Sequence, residues 1–347
     1  HIMLGGIVHA PMLKLTEQLC KILPGDLNHV FLSESGSVSV EIAMKMATQF
    51  FTNQGDRDKF LFLGFRHGYH GDTFAAMSVG DPEDRSSRSF AGIVPAQMIV
   101  DLPRNRSELA AFEAFVAKNS TQLAAVILEP LVQAAGGMKF HSPMILAGIA
   151  EIASRHGVLL ILDEIATGFG RTGTLFACEQ AGIVPDIITL SKALTGGTSP
   201  LAATVATDRV YEAFLSESEG DALMHGPTFS GHPLGCAAAI ASLSLFEMEP
   251  RLEQVLRIEA QLSDGLESCR SIKGVYDVRC KGAIGVVQLD RVPDLASLRQ
   301  RFIQEGVWVR PFSDVVYLMP PLIINETDLE ILIGAIHRVL SRSFDLL

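Results

Sequence analysis

Five cysteines occur in 347 residues (Cys20, Cys178, Cys236, Cys269 and Cys280), odd in number and with no C-x-x-C spacing. That pattern excludes a disulfide framework and a cysteine-rich zinc site, and predicts reduced, buried thiols in a cytoplasmic protein. Basic residues are also scarce. The 28 Lys and Arg against 39 Asp and Glu leave a net charge of -11, which argues against a nucleic acid or an anionic membrane as partner. No stretch approaches ~18 uninterrupted apolar residues, so no membrane-spanning helix is predicted. The opening "HIMLGGIVHAP" lacks the basic segment and long apolar run of a secretory signal. Low-complexity segments and internal repeats are absent as well.

What is present is material for a core. The chain is 48% hydrophobic and 19% charged, and its length suits one large and one smaller domain. The runs "HVFLSES", "KFLFLGF", "LAAVILEP", "VLLILDEI", "PDIITLS" and "LAATVAT" are apolar on consecutive positions, as strands buried on both faces are. Helical patterns alternate with them, one beginning near Ser35 to Ser37 and another running through "PMILAGIAEIASRHG". An α/β architecture follows, a mainly parallel sheet flanked by helices. Beyond about residue 233 a long helical region, "PLGCAAAIASLSLFEME" through "RLEQVLRIEAQLSDGLESC", reads as one connecting helix into a smaller α+β domain. The expected division is residues 1–247 and 248–347.

Ligands of open α/β sheets bind beyond the carboxyl ends of the strands, so polar residues just past these runs are the candidates. Ser35, Gly36 and Ser37 stand between a strand and a helix, where free N–H groups and the helix dipole attract an anion; a plain serine N-cap explains them equally. This turn is neither a Walker A loop nor G-x-G-x-x-G. "RHGYHGDT" gathers His67, Tyr69, His70 and Asp72 around two glycines. Two histidines three apart suggest a metal, but no further ligand set follows. An aromatic ring laid over a planar ligand fits as well, and so does a bland turn. Asp163 and Glu164 end an apolar strand and need a cation or several donors, Arg171 being the structural candidate. Lys192 lies 29 residues after Asp163, a distance read as one helix plus one strand, so both can reach the same sheet edge. Anion turn, stacking aromatic, strand-end aspartate and strand-end lysine together make a site for pyridoxal 5'-phosphate (PLP). The lysine amine would condense with the aldehyde, and the aspartate would keep the pyridine nitrogen protonated.

"LILDEIATGFGRTG" followed by "PDIITLSKALTGG" resembles the signature of class III (ω-type) PLP-dependent aminotransferases of fold type I. "FLSESGSVSVEIAMKMA", "GYHGDTFAAMSV", "EPLVQAAGGM", "MHGPTFSGHPLGCAAA", "KGAIGVVQ" and "GVWVRPFSDVVYLMPP" are nearest to that class's biotin-pathway members, in the same order and over nearly the whole chain. The resemblance implies PLP as cofactor, S-adenosylmethionine as amino donor, 8-amino-7-oxononanoate as acceptor and a homodimer with shared active sites. It places the PLP lysine at Lys192 and the pyridine-nitrogen aspartate at Asp163. Ile165 and Tyr69 would lie on opposite faces of the ring, and Ser35, Gly36 and Ser37 would form the phosphate turn. Thr228 would reach the phosphate of the neighbouring subunit. Arg310 would take the substrate carboxylate, with Tyr317, Gly226 and Asp72 around the substrate. No metal is implied. Other class III enzymes, acting on ornithine, 4-aminobutyrate or diamines, share these motifs, as do aminomutases; the Tyr317 and "GPTF" contexts favour the biotin-pathway branch. Two departures stand out. Ala134 replaces a usual glycine, and the family carries several tens of residues ahead of the point matching His1. Those residues supply pocket aromatics that Trp308, the single tryptophan, does not replace. A PLP-binding chain with an incomplete substrate site and no activity is therefore a further reading.

Overall fold

The computed structural model describes residues 1–84, 88–292 and 294–344. The chain forms two compact units, His1–Phe169 with Phe176–Glu247, and Gly170–Leu175 with Met248–Leu347.

In the first unit the elements run α1 (Ala10–Ile22), β1 (Leu27–Ser33), α2 (Gly36–Asn53), β2 (Leu61–Phe65), α3 (Phe74–Ser78), β3 (Met98–Val100), α4 (Arg106–Asn119) and β4 (Leu123–Leu128). The short pair β5 (Val132–Gln133) and β6 (Lys139–Phe140) follows, then α5 (Pro143–Arg155), β7 (Leu159–Asp163), β8 (Ile187–Leu190), β9 (Ala202–Thr207), α6 (Asp208–Glu212) and α7 (Pro233–Met248). Seven strands form one sheet in the order β1-β9-β8-β7-β4-β2-β3. The pairs β2–β3, β2–β4, β4–β7 and β7–β8 are parallel, while β9 runs antiparallel to both β8 and β1. The sheet is thus mixed about a largely parallel centre. Every residue of β4, β7, β8 and β9 is buried, as their unbroken apolar runs require of strands covered on both faces. Helix α2 packs on β8 and β9 and buries Val40, Ala43, Ala47, Phe50 and Phe51 among other apolar residues. A valine or phenylalanine side chain contributes about 1.5–3 kcal/mol when fully buried.

This topology positions the site. Because β9 reverses direction on both sides, β1 runs the same way as β8. The carboxyl ends of β1, β2, β4, β7 and β8 therefore face one edge of the sheet.

The second unit contains α8 (Arg251–Glu267), β10 (Val275–Lys281), β11 (Ile284–Leu289), α9 (Leu295–Gln304), β12 (Val315–Leu318) and α10 (Glu326–Phe344). Its strands form an antiparallel sheet in the order β10-β11-β12, with a core that includes Leu262, Leu266, Val287, Phe302, Val316 and Ile336.

The single connecting helix expected beyond residue 233 is two helices, α7 and α8, broken at Glu249–Pro250. Pro250 lacks an N–H and sits at ψ 60, outside helical geometry, at the N-cap of α8. The connection from β7 to β8 carries a short 3-10 turn, Ala177–Ala181, where a helix was expected. "TGFGRTG" holds three glycines in seven residues, too many for a stable helix. Cys178, Cys236 and Cys269 are buried and all five thiols are free, but Cys20 and Cys280 are only half-buried.

Among the described residues no helix is long and apolar enough to cross a membrane. Nor, among them, is any group of three or more His, Cys, Asp or Glu placed to hold a metal ion.

Candidate active site

At the shared strand edge of the first unit lies a cavity of about 230 Å³ lined by Gly36, Ser37, Tyr69, His70, Gly71, Glu129, Ala134, Ala135, Asp163, Ile165, Ala166, Ser191 and Lys192. Five strand ends deliver these residues. Beyond β1, Ser35 caps α2 by accepting the Val38 N–H (3.3 Å), which leaves the first-turn N–H groups of Gly36 and Ser37 without helical partners. Beyond β2, the loop 67–72 folds over so closely that a Cβ on Gly71 (φ +130) would sit 2.3 Å from Ser37 Oγ. The Asp72 N–H donates to that same oxygen at 3.0 Å. Tyr69 Oη donates to Asp72 Oδ1 (2.9 Å), and burial first, then the bond to Asp72, pushes the phenol up to about 12.

Asp163 ends β7 at 3% exposure. Its partner is His70, whose Nδ1 stands 2.7 Å from Asp163 Oδ2, so the proton lies on Nδ1. Ile165 N–H and Thr189 Oγ1 donate to Asp163 Oδ1 at 3.1 and 3.3 Å. Burial works against a charge on His70, yet the hydrogen bond to Asp163, then the charges of Asp163 and Glu129, hold its pKa above the ordinary value. Its Nε2 is buried without a partner. Arg171, expected as the structural cation for this pair, instead donates to the carbonyls of Ala283 (3.1 Å) and Pro320 (2.7 Å) in the second unit. Glu164, fully buried, accepts from Thr167 Oγ1 (2.6 Å) and the Cys178 N–H (2.9 Å), and burial lifts its carboxyl to about 7. It braces the strand end and does not line the cavity.

Lys192 follows β8 with φ +41, a left-handed backbone that costs a side-chain-bearing residue about 1–2 kcal/mol. The turn is fixed on both sides. Ser191 Oγ donates to the Leu201 carbonyl (2.9 Å), the Leu194 N–H to the Ser191 carbonyl (2.9 Å) and Thr195 Oγ1 to the Ser199 carbonyl (2.6 Å).

Of the residues singled out from sequence, Gly36, Ser37, Tyr69, Asp163, Ile165 and Lys192 therefore line one cavity, with Ser35 and Asp72 beside them. Thr228 and Gly226 lie on an exposed loop outside its lining. Arg310 and Tyr317 belong to the second unit, Arg310 exposed and Tyr317 edge-on to Phe312 at 5.4 Å. His67, one of the two histidines that suggested a metal, turns away to Asp81 at 3.3 Å. Sequence reasoning missed Glu129 and the role of His70. The signal for Glu129 was a carboxylate ending "LAAVILEP", the same pattern that marked Asp163.

The fit to PLP rests on the cavity's own chemistry. A lysine amine and a nearly buried carboxylate with an imidazole behind it face one space, beside helix N–H groups that carry no side-chain bulk at Gly36. A Cβ there would press to 2.9 Å of Ile165 Cδ1.

The model of the family "Aminotransferase class-III" matches residues 1–340. An adenosylmethionine-8-amino-7-oxononanoate aminotransferase of Corynebacterium glutamicum is 43% identical over 345 residues, covering 97% of this chain and 81% of that protein. The enzyme of the same name from Mycobacterium leprae is 44% identical over 342 residues, covering 98% and 78%. The crystal structure of the Methanocaldococcus jannaschii enzyme of that name superposes with a TM-score of 0.90 at 34% identity, over 99% of this chain and 82% of that one. A PLP-bound amine transaminase from an uncultivated Pseudomonas species superposes at 0.91 with 30% identity, over 99% and 83%. Strand-end geometry and these similarities agree: the chain belongs to the class III aminotransferases.

Proposed function

We propose that this chain is a PLP-dependent aminotransferase of biotin synthesis, moving an amino group from S-adenosylmethionine to 8-amino-7-oxononanoate to give 7,8-diaminononanoate. The observation that carries it is the placement of Lys192 and Asp163, from the neighbouring strands β8 and β7, on one cavity with a helix N-terminus. The relatives' names supply the substrates. When bound, PLP supplies an aldehyde that takes up the amino group and a protonated ring that draws electrons from the substrate Cα–H bond.

The chain's own residues do the rest. Lys192 anchors the cofactor and, as a free amine, takes and returns the proton at the substrate Cα. Asp163 presents a negative charge to the ring nitrogen, and His70 holds that carboxylate in place. Gly36 and Ser37 offer N–H and hydroxyl donors to the phosphate at the positive end of α2, with Ser35 as the cap. Ile165 and Tyr69 bound the two faces of the ring. Arg310 takes the substrate carboxylate through its bidentate fork, and Tyr317, Gly226 and Asp72 shape the substrate pocket. In a homodimer, Thr228 serves the neighbouring site, which suits its exposure here.

Adding PLP to the purified protein is expected to give a visible absorption band that Lys192→Ala abolishes; a band surviving in that variant rejects the lysine assignment. A donor panel against 8-amino-7-oxononanoate, including S-adenosylmethionine, lysine, ornithine and diamines, tests the substrates. Turnover of ornithine or 4-aminobutyrate with no use of 8-amino-7-oxononanoate would place the chain in another branch of the class.

A further inference from the structure

Glu129 follows β4 directly, is 4% exposed and lines the cavity, yet no part of the reaction just described uses it. Both of its oxygens are engaged. Oε2 accepts the Tyr69 N–H at 3.1 Å and Oε1 accepts the Ala134 N–H at 2.9 Å. The two donors belong to different loops, one after β2 and one around the short pair β5 and β6, and both loops wall the cavity. Each carries a residue in left-handed backbone, His67 at φ 64 and Leu131 at φ 64. Such conformations persist only where the surroundings hold them. The loops press together, since a Cβ on Gly136 would fall 1.8 Å from the His67 carbonyl oxygen. Gln133 Nε2 adds a bond to the Arg66 carbonyl at 2.8 Å.

Each oxygen of the Glu129 carboxyl group thus accepts one N–H, so a single side chain joins the two loops. An amide in its place offers one acceptor and turns an NH₂ toward an N–H donor. Glu129 nonetheless carries a large desolvation cost, with burial first, and then the nearby charge of Asp163, lifting its carboxyl to about 7 against the partial relief from His70.

We propose that Glu129 is a positioning residue for the reaction: it fixes the backbone of Tyr69, and through it the aromatic wall of the cofactor site, against the loop carrying Ala134. The Tyr69 ring is then held at both ends, by Glu129 at its backbone and by Asp72 at its hydroxyl. The inference rests on the PLP reading for its consequence, though the clamp itself belongs to the protein without cofactor.

The test is a double-mutant cycle with Glu129→Gln and Tyr69→Ala. In the wild-type background Glu129→Gln is expected to lower kcat about tenfold, the loss of roughly one buried hydrogen bond with its acceptor left mispaired. It should also weaken the visible circular dichroism of bound PLP, which reports the asymmetry of the wall around the ring. In the Tyr69→Ala background the same change should alter either readout less than about twofold, because the path through Tyr69 is already cut. A full-size effect in both backgrounds, or no effect in either, overturns the proposal. Amide hydrogen exchange on the cofactor-free protein gives the independent reading. Glu129→Gln should speed exchange at Tyr69 and Ala134, and unchanged exchange there overturns the clamp. If wild-type protein forms no PLP band while exchange does respond, the cofactor reading fails and the clamp stands. Glu129→Asp keeps both oxygens but shortens the reach; it is expected not to restore kcat, and serves as the test variant if Glu129→Gln does not fold.

Discussion

Three buried acids, Asp163, Glu164 and Glu129, stand at neighbouring strand ends, each with its own set of partners. Asp163 has an imidazole at 2.7 Å and two further donors, whereas Glu164 has only neutral donors. Burial accordingly raises Glu164 from 4.5 to about 7. A raised carboxyl keeps its proton in the folded protein where the unfolded chain has released it. Its stabilising effect is therefore complete below pH 4.5 and is lost as pH climbs through about 7, at most about 1.4 kcal/mol per pH unit. Glu129 acts in the same window. Glu164→Gln keeps the size and removes the titration, so wild-type Tm should fall relative to the variant between pH 5 and 8. Parallel Tm curves across that range would refute the assignment. At this scale the sequence was legible in part. Asp163 and Glu164 were visible as strand-end charges needing partners, but Arg171 was the expected cation and His70 is the observed one. A cation close in sequence has no advantage once the sheet brings β2 and β7 to one edge.

Helix α2 and the loop after β2 meet at the turn proposed to hold the phosphate, and their contact leaves no room for a methyl group at Gly71. Gly71→Ala would meet both a left-handed backbone and Ser37 Oγ, so the loop must shift. The expected result is at least a tenfold weaker PLP affinity, read by titration of the visible band, with loss of about 1 kcal/mol or more in stability. Unchanged affinity would show that the Ser37 turn does not hold the phosphate. The start of α2 was readable because a serine N-cap before an apolar 3.6-residue period is a local signal. The break between α7 and α8 was readable too, since Pro250 forbids a continuous helix there, but the surrounding periodicity masked it. The short turn between β7 and β8 was not, because glycine-rich backbone takes its shape from what it packs on.

For the molecule as a whole, Thr228 is offered outward on an exposed loop, outside the cavity of its own chain. If each site draws Lys192 from one subunit and Thr228 from the other, two defective chains can complement. Lys192→Ala and Thr228→Asp should each be inactive alone. Refolded together at equal amounts, they should recover about a quarter of wild-type activity, since half the dimers are hybrids with one intact site of two. No recovery with proven hybrid formation would assign both residues to the same subunit's site.

Buried strands, the serine cap and the lysine and aspartate at strand ends were determined by the sequence itself, because apolar runs and caps act over a few residues. Only the tertiary structure decided which ends meet. The reversal of β9 aligns β1 with β8 and so brings the α2 turn to the edge that holds Asp163 and Lys192. It also chose His70 over Arg171 for Asp163 and set Glu129 between two loops more than 60 residues apart in its donors. These are long-range pairings, and their energies depend on burial and on partners that no local stretch of sequence contains.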